Sequence, residues 1–336
     1  ASFRQNYHVV EGSSYAGSLG VGNNPASIVN TPYPWDITIF GTQEKHTTNA
    51  LTIYKYSLLS SPAKSEYLFN SGNFPRYAHT NFNVNLLNAR FALGRERAIA
   101  FGMNMRGYTN VKTGPYNFID TLSTTRQFFD LGNSNVKLHG DVTSSSWIEL
   151  FGTYSQTIWD RETNRLNAGV TLKVSRGVSG AHGAVQNVQV QRTTHNDEMI
   201  YRFESGEAQY GYSHNFDTWN NERSTSQNLR DFLSHTAVGM SIDLGVEYII
   251  KPGGLPAWDE DAHYDYDWKV GVALLDLGFN QFRYGIHSRA VAGIRPNIYD
   301  TLFDERINGV EGVESFNDSL AGIVNTMRNL SGDFKI

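Results

Sequence analysis

The sequence predicts an all-β protein, an antiparallel transmembrane β-barrel with an N-terminal luminal plug and helical inserts. Several segments alternate apolar and polar residues with a period of two, and the polar side of those segments carries full charges. Tyrosines and tryptophans gather where the segments begin or end. A strand with two unlike faces gives period two. A barrel wall sets lipid against one face and a polar interior against the other, and aromatic girdles mark the two interfaces.

The alternation is readable strand by strand. Leu87, Ala89, Phe91 and Leu93 oppose Asn88, Arg90, Ala92 and Gly94, and after the charged connection Arg95-Glu96-Arg97 a second run follows with Ile99, Phe101, Met103 and Met105 on one side. This pair predicts a hairpin. Ile148, Leu150, Gly152 and Tyr154 form the next apolar set, with Glu149 and Phe151 opposite, and Phe151 is expected to pack inward on the plug. The longest case runs from Arg165 to Ser175: Leu166, Ala168, Val170, Leu172 and Val174 oppose Arg165, Asn167, Thr171 and Lys173. Ile242, Leu244, Val246, Tyr248 and Ile250 oppose Asp243 and Glu247 in the same way. Shorter runs occur at Val188 and Val190, at Val270, Val272 and Leu274, and at Phe282, Tyr284 and Ile286.

Orientation follows from charge. Leu166, Val170, Leu172, Val174, Ile242, Leu244 and Val246 are expected to face lipid, and Arg165, Lys173, Asp243 and Glu247 the lumen. A one-residue slip would move every charge into hydrocarbon. The alternative is a soluble β-sandwich, in which the apolar residues would meet a second sheet and the charges would meet water. Strands of roughly ten residues or more, the length needed to cross a bilayer on a tilt, favour the barrel.

Residues 1–34 lack strand periodicity and are rich in Gly, Ser and Asn, as in Gly20-Val21-Gly22 and Asn23-Asn24-Pro25-Ala26. They are expected to form the plug, with residues 35–336 as the barrel. Three stretches suit helices: Tyr116 to Leu131, Trp219 to Val238, and Val313 to Leu330, the last with Phe316, Leu320, Ile323, Val324 and Met327 at helical spacing. The chain then stops without a long closing strand, so C-terminal strands are expected to be missing, because lipid does not tolerate an open sheet edge.

Composition narrows the function classes. Of 336 residues only 18% are charged and 13% are aromatic, and mean hydropathy is -0.41. No window supplies the roughly 18 apolar residues of a spanning helix. The absence of cysteine removes disulfides, thiolate metal sites and cysteine nucleophiles. A net charge of -5 with scattered Lys and Arg gives no field for nucleic acid. HExxH, Walker and GxSxG motifs are missing, Gly177-Val178-Ser179-Gly180-Ala181 failing at its last position. His182 and His214 are the only histidines singled out as possible bases, without an orienting set around them. The acidic stretch Asp259, Glu260, Asp261, Asp265 and Asp267 lacks the EF-hand spacing and suits a solvated loop. No enzyme activity and no cofactor are expected.

Ser14-Tyr15, Gly22-Asn23-Asn24-Pro25-Ala26-Ser27 and Trp35 to Gly41 resemble a family of Bacteroidota outer-membrane barrels, as do Lys173 to Ala181 and Val272 to Gly278. The likeness spans most of the chain in short patches. The Asn-Pro-Ala element is also similar to the N-terminal hatch of FadL-like transporters and of PorV-like barrels of the type 9 secretion system. Such a resemblance implies about 14 strands, a location in the outer membrane, and a non-enzymatic structural or accessory role with membrane lipid and other outer-membrane or secreted proteins as partners. Transport of a hydrophobic small molecule is the alternative it implies.

Overall fold

A computed structural model describes residues 13–54, 65–220, 222–253 and 261–336. Two 3-10 turns, Gly17–Gly22 and Pro25–Val29, are followed by the short strands β1 (Trp35–Thr38), β2 (Gly41–Thr48), β3 (Leu51–Tyr54) and β4 (Glu66–Phe69). Then come the long strands β5 (Gly72–Ala92) and β6 (Arg97–Phe118), the helix α1 (Thr125–Asp130), and β7 (Leu138–Asp160), β8 (Asn164–His195) and β9 (Glu198–Tyr212). Helix α2 (Thr225–Ser234) leads to β10 (Val238–Ile250), β11 (Trp268–Phe279), β12 (Gln281–Arg283) and β13 (Arg289–Ile294). Helices α3 (Asp300–Ile307) and α4 (Gly312–Ala321) and the strands β14 (Val324–Asn329) and β15 (Asp333–Lys335) end the chain.

The principal sheet has 11 strands, all antiparallel. It begins at β1 and β2, which pair with successive parts of β5, and proceeds through β6 and β7 to β8. There it forks. Residues 164–176 of β8 pair with β10, which pairs with β11, while residues 181–195 pair with β9, which leads to β13 and β14. Among the described residues no pairing joins the β1 and β2 edge to β11 or β14, so the sheet is open.

The fork has a local cause. Between Gly177 and Gly180 the chain of β8 bulges against Ser146 and Trp147 of β7, and Phe282 of β12 lies over both glycines, so close that a Cβ on either would meet its ring. Side chains close the gap in the ladder: Asn215 Nδ2 donates to the Val178 carbonyl at 2.7 Å, and Gly180 N–H donates to Ser213 Oγ at 3.1 Å. Backbone groups that lose a strand partner are thereby still satisfied.

Strands run further than the alternation suggested and helices are shorter. β6 continues to Phe118, so the helix expected over Tyr116 to Leu131 is only α1; that expected over Trp219 to Val238 is α2, started by a Ser224–Gln227 capping box. The helix expected over Val313 to Leu330 stops at Ala321. Residues 324–329 instead form β14 on β13, with Val324 opposite Ile294 and Met327 opposite Val291. The apolar spacing there serves a sheet edge and a helix alike, and pairing with a strand distant in sequence decides between them.

Two short turns border one end of the sheet and three helices the other. Residues 93–96 join β5 to β6 and residues 161–163 join β7 to β8 at one end. At the other, α1 with its flanking turns connects β6 to β7, and α1, α3 and α4 pack against the ends of β9, β13 and β14. The buried cluster there comprises Phe129, Tyr201, Phe203, Val291, Ile298 and Ile323, among others.

Candidate functional site

The two faces of the sheet between those ends differ in kind. On β8 and β10 Leu172 is 64% and Leu244 42% exposed, Val174 and Val246 are exposed, and Leu166, Val170 and Ile242 are half-exposed. Their neighbours point the other way and are buried: Lys173 is 6% and Asp243 0% exposed, and Arg165 and Glu247 are equally enclosed. A sheet in water places charge outside and hydrocarbon inside. Here the arrangement is reversed. Exposed Trp35, Trp159 and Trp268 line the end with the short turns.

The N-terminal segment covers part of the polar face. Residues 1–12 of the expected plug lie outside the described residues. Asn23 closes the first 3-10 turn, its N–H donating to the Gly20 carbonyl at 3.1 Å. Asn24 caps the second: its Oδ1 accepts from Ala26 N–H at 2.9 Å, its Nδ2 donates to the Val246 carbonyl of β10 at 3.0 Å, and Pro25 takes the first helical position, where its missing N–H is not needed. The sheet receives this element on Gly169 and Gly245, partners across β8 and β10. A Cβ on Gly169 would overlap the Pro25–Ala26 peptide, and one on Gly245 would overlap the Asn24 side chain. Ala26 is fully buried, and its carbonyl accepts from Ser155 Oγ at 3.1 Å. Beyond it Val21, Ile28 and Val29 pack on Ala98, Ala100 and Phe151.

Two arginines hold the segment from the sheet. Arg90 donates to the carbonyls of Ile28, Tyr33 and Thr31 at 2.5, 2.7 and 3.4 Å and lies 3.7 Å from Asp36. Arg165 donates to Asn30 Oδ1 and to His263 Nε2. Burial and the adjacent Arg165 guanidinium push the His263 imidazole down to about 4, which leaves it neutral and able to accept that bond.

Further along the polar face five charged groups from five strands meet. Arg106 of β6 forks onto Asp276 of β11 with two bonds of 2.8 Å and stands 3.4 Å from Glu149 of β7. Lys173 of β8 bridges Asp276 at 2.8 Å and Asp243 of β10 at 2.5 Å. Trp147 Nε1 donates to Glu149 at 2.8 Å, and Asp276 N–H donates to Asp243 at 2.6 Å. Glu247 pairs nearby with Lys269 at 3.5 Å and accepts from Asn167 at 3.3 Å. Buried charges this close persist only when paired and hydrogen-bonded.

Sequence reasoning missed Asp276 as the hub. It interrupts the run Leu274-Leu275-Asp276-Leu277, out of phase with the alternation. In the structure it has φ of 56°, at the point where the β10 and β11 register shifts between Ile242 and Leu244. The bulge turns its carboxylate to the polar face, and a short side chain makes the left-handed conformation accessible. An acidic residue within an apolar strand was the available signal.

Other residues singled out are placed less suggestively. His182 faces Tyr284 Oη at 3.1 Å and packs on Phe334 of β15, and His214 holds Asp217 at 3.1 Å, which also accepts from Tyr212 Oη. Among the described residues neither is hydrogen-bonded to a serine or threonine hydroxyl. Trp258, Asp259 and Glu260 of the acidic stretch lie outside the described residues, as does the side chain of Asp261.

The chain matches, over residues 25–335, a protein family described as a family of unknown function (DUF5723). No curated protein and no solved structure matches it.

Proposed function

The chain belongs to this family of unknown function, and we propose that its sheet is the wall of an outer-membrane β-barrel serving as a structural or accessory subunit of a larger assembly. The reversal of the two faces carries the reading: Leu172 and Leu244 outward, Lys173 and Asp243 enclosed. Apolar side chains exposed over several adjacent strands incur a hydration penalty in water that lipid removes. In this reading the free edges at β1 and β2 and at β11 meet further strands in the membrane.

Within the barrel, residues 13–34 act as a plug seated on Gly169 and Gly245. The paired charges behind it give a filled polar interior, which supports an accessory role over passage of a hydrophobic molecule through the lumen. The Asn24-Pro25-Ala26 element, which carries the resemblance to the hatch of PorV-like and FadL-like barrels, caps a turn against the sheet. Extraction in mild detergent followed by affinity purification tests the role. Stoichiometric outer-membrane or secreted proteins should accompany the chain, and its recovery as a bare monomer under several extraction conditions would defeat the proposal.

A further inference from the structure

Helix α2 and the 3-10 turn His214–Thr218 before it form a small unit against the apolar face of the sheet. On β8 that face runs Leu166, Ala168, Val170, Leu172 and Val174 and then reaches Arg176, the first charge on it. Arg176 Nη1 donates to the Leu233 carbonyl of α2 at 3.2 Å and to Thr236 Oγ1 at 3.4 Å. Five residues after Leu233 the chain enters β10 at Val238, in register with Arg176. The unit thus stands where the apolar band ends, on the face that bears it.

Packing uses only part of its apolar surface. Phe232 meets Phe216 edge to face at 5.3 Å, and buried Asn228 closes on the backbone of Asn220, donating at 2.7 Å and accepting at 3.0 Å. Leu229 and Leu233, four residues apart and so on one side of the helix, stay exposed, Leu229 at 53%, as do Phe216 and Trp219. Asp231 lies on the other side, paired with Arg223 at 2.6 Å. Exposed Val238 and Met240 continue the apolar surface down β10. A helix with one apolar and one polar side lies flat at a membrane surface, hydrocarbon taking the first and headgroups the second.

Height along the wall agrees. Exposed Trp268, at the end with the short turns, is opposite Ile250 at one limit of β10, and Val238 is the other limit. The 13 residues of β10 span about 41 Å, or about 30 Å along the normal of a bilayer at a tilt of about 45°. A hydrocarbon layer is about 30 Å thick, and tryptophan favours both of its borders. Trp268 marks one border, and α2 with Trp219 stands at the other. We infer that α2 lies in the headgroup layer with Phe216, Trp219, Leu229 and Leu233 set into the acyl chains, tying the connection between β9 and β10 to the membrane surface. The inference rests on the reading of the sheet as a membrane wall. From His214 to His235 the acidic Asp217, Glu222 and Asp231 outnumber Arg223 and Arg230, so the attachment is apolar and needs no anionic lipid.

The chain has no cysteine, so Leu229→Cys, Leu233→Cys, Ser234→Cys and, on the wall, Leu244→Cys can each carry one fluorophore in the full chain reconstituted into phosphatidylcholine vesicles. The quenchers are a spin label on the lipid headgroup, a spin label deep in the acyl chain, and aqueous iodide. Labels at Leu229 and Leu233 should be quenched most by the headgroup spin label and lose most of their iodide quenching, the label at Leu244 should be quenched most by the deep one, and the label at Ser234, on the polar side of α2, should stay open to iodide. Iodide quenching at Leu229 and Leu233 as strong as at Ser234, with Leu244 still quenched from within the lipid, would overturn the inference and leave the wall intact. Shielding from iodide without quenching by either lipid label would overturn it in favour of a protein cover. Loss of lipid quenching at Leu244 itself would remove the wall, and the place of α2 with it.

Discussion

Placing arginine at Leu244 separates a wall in lipid from a sheet in water. Leu244 lies at the middle of β10, between Val170 on β8 and Leu274 on β11, and its side chain is 42% exposed on the apolar face. In water, arginine at an exposed strand position changes stability by about 0.5 kcal/mol or less. In a bilayer the same substitution near the midplane costs about 2–4 kcal/mol. The cost also depends on depth. Met240 lies four residues along the strand, about 13 Å, or about 10 Å along the membrane normal at the usual tilt. Met240→Arg should therefore cost only about 0–1 kcal/mol. Urea titration of refolding into lipid vesicles measures both. Equal, near-zero effects of Leu244→Arg and Met240→Arg would refute the membrane wall, because exposure alone would then account for them.

Four further outcomes test the interior and the faces. Asp276→Ala leaves Arg106 and Lys173 without their shared carboxylate and should destabilise the fold by about 3–5 kcal/mol, measured by denaturant titration; a loss below about 1 kcal/mol would show that the network bears little weight. Gly245→Val drives a branched side chain into Asn24 and should cost about 1–3 kcal/mol while exposing the N-terminal segment to limited proteolysis; an unchanged cleavage pattern would contradict the seating. Because the folded pKa of His263 lies below its unfolded value of 6.5, at about 4, the unfolded chain binds a proton first as pH falls. Stability is thus complete above pH 6.5 and declines towards pH 4 by up to about 3 kcal/mol, a slope that thermal melts should show and His263→Gln should flatten. Since the chain has no cysteine, Leu274→Cys and Leu172→Cys can be labelled singly. In vesicles a lipid-borne quencher should reach a fluorophore at either position, and quenching only by an aqueous agent would argue against lipid contact.

Legibility varied with the range of the interaction. The β5 and β6 hairpin and the opposed residues of β8 and β10 were readable because each lies within a dozen residues of continuous alternation, as with Leu172 beside Lys173. Phe151, an aromatic on the polar face of β7, meets Val21, Ile28 and Val29 of the N-terminal segment. The end of α4 was not readable. Ile323, Val324 and Met327 satisfy helical spacing, and only the free edge of β13, more than two dozen residues earlier, draws residues 324–329 into a strand. Gly169 and Gly245 looked like small residues on a polar face, since nothing near them in sequence announces the Asn24-Pro25-Ala26 turn they accommodate.

Period two is a property of neighbouring residues, so the sequence alone determined the all-β character, the two unlike faces of the long strands, and which residues share each face. Strand pairing determined the rest. The fork at Gly177 to Gly180 requires Phe282 to arrive from β12, and the charge cluster requires five strands to bring Arg106, Glu149, Lys173, Asp243 and Asp276 together. Contacts between residues a hundred or more positions apart leave no local period, because their energy exists only once the chain has brought them together.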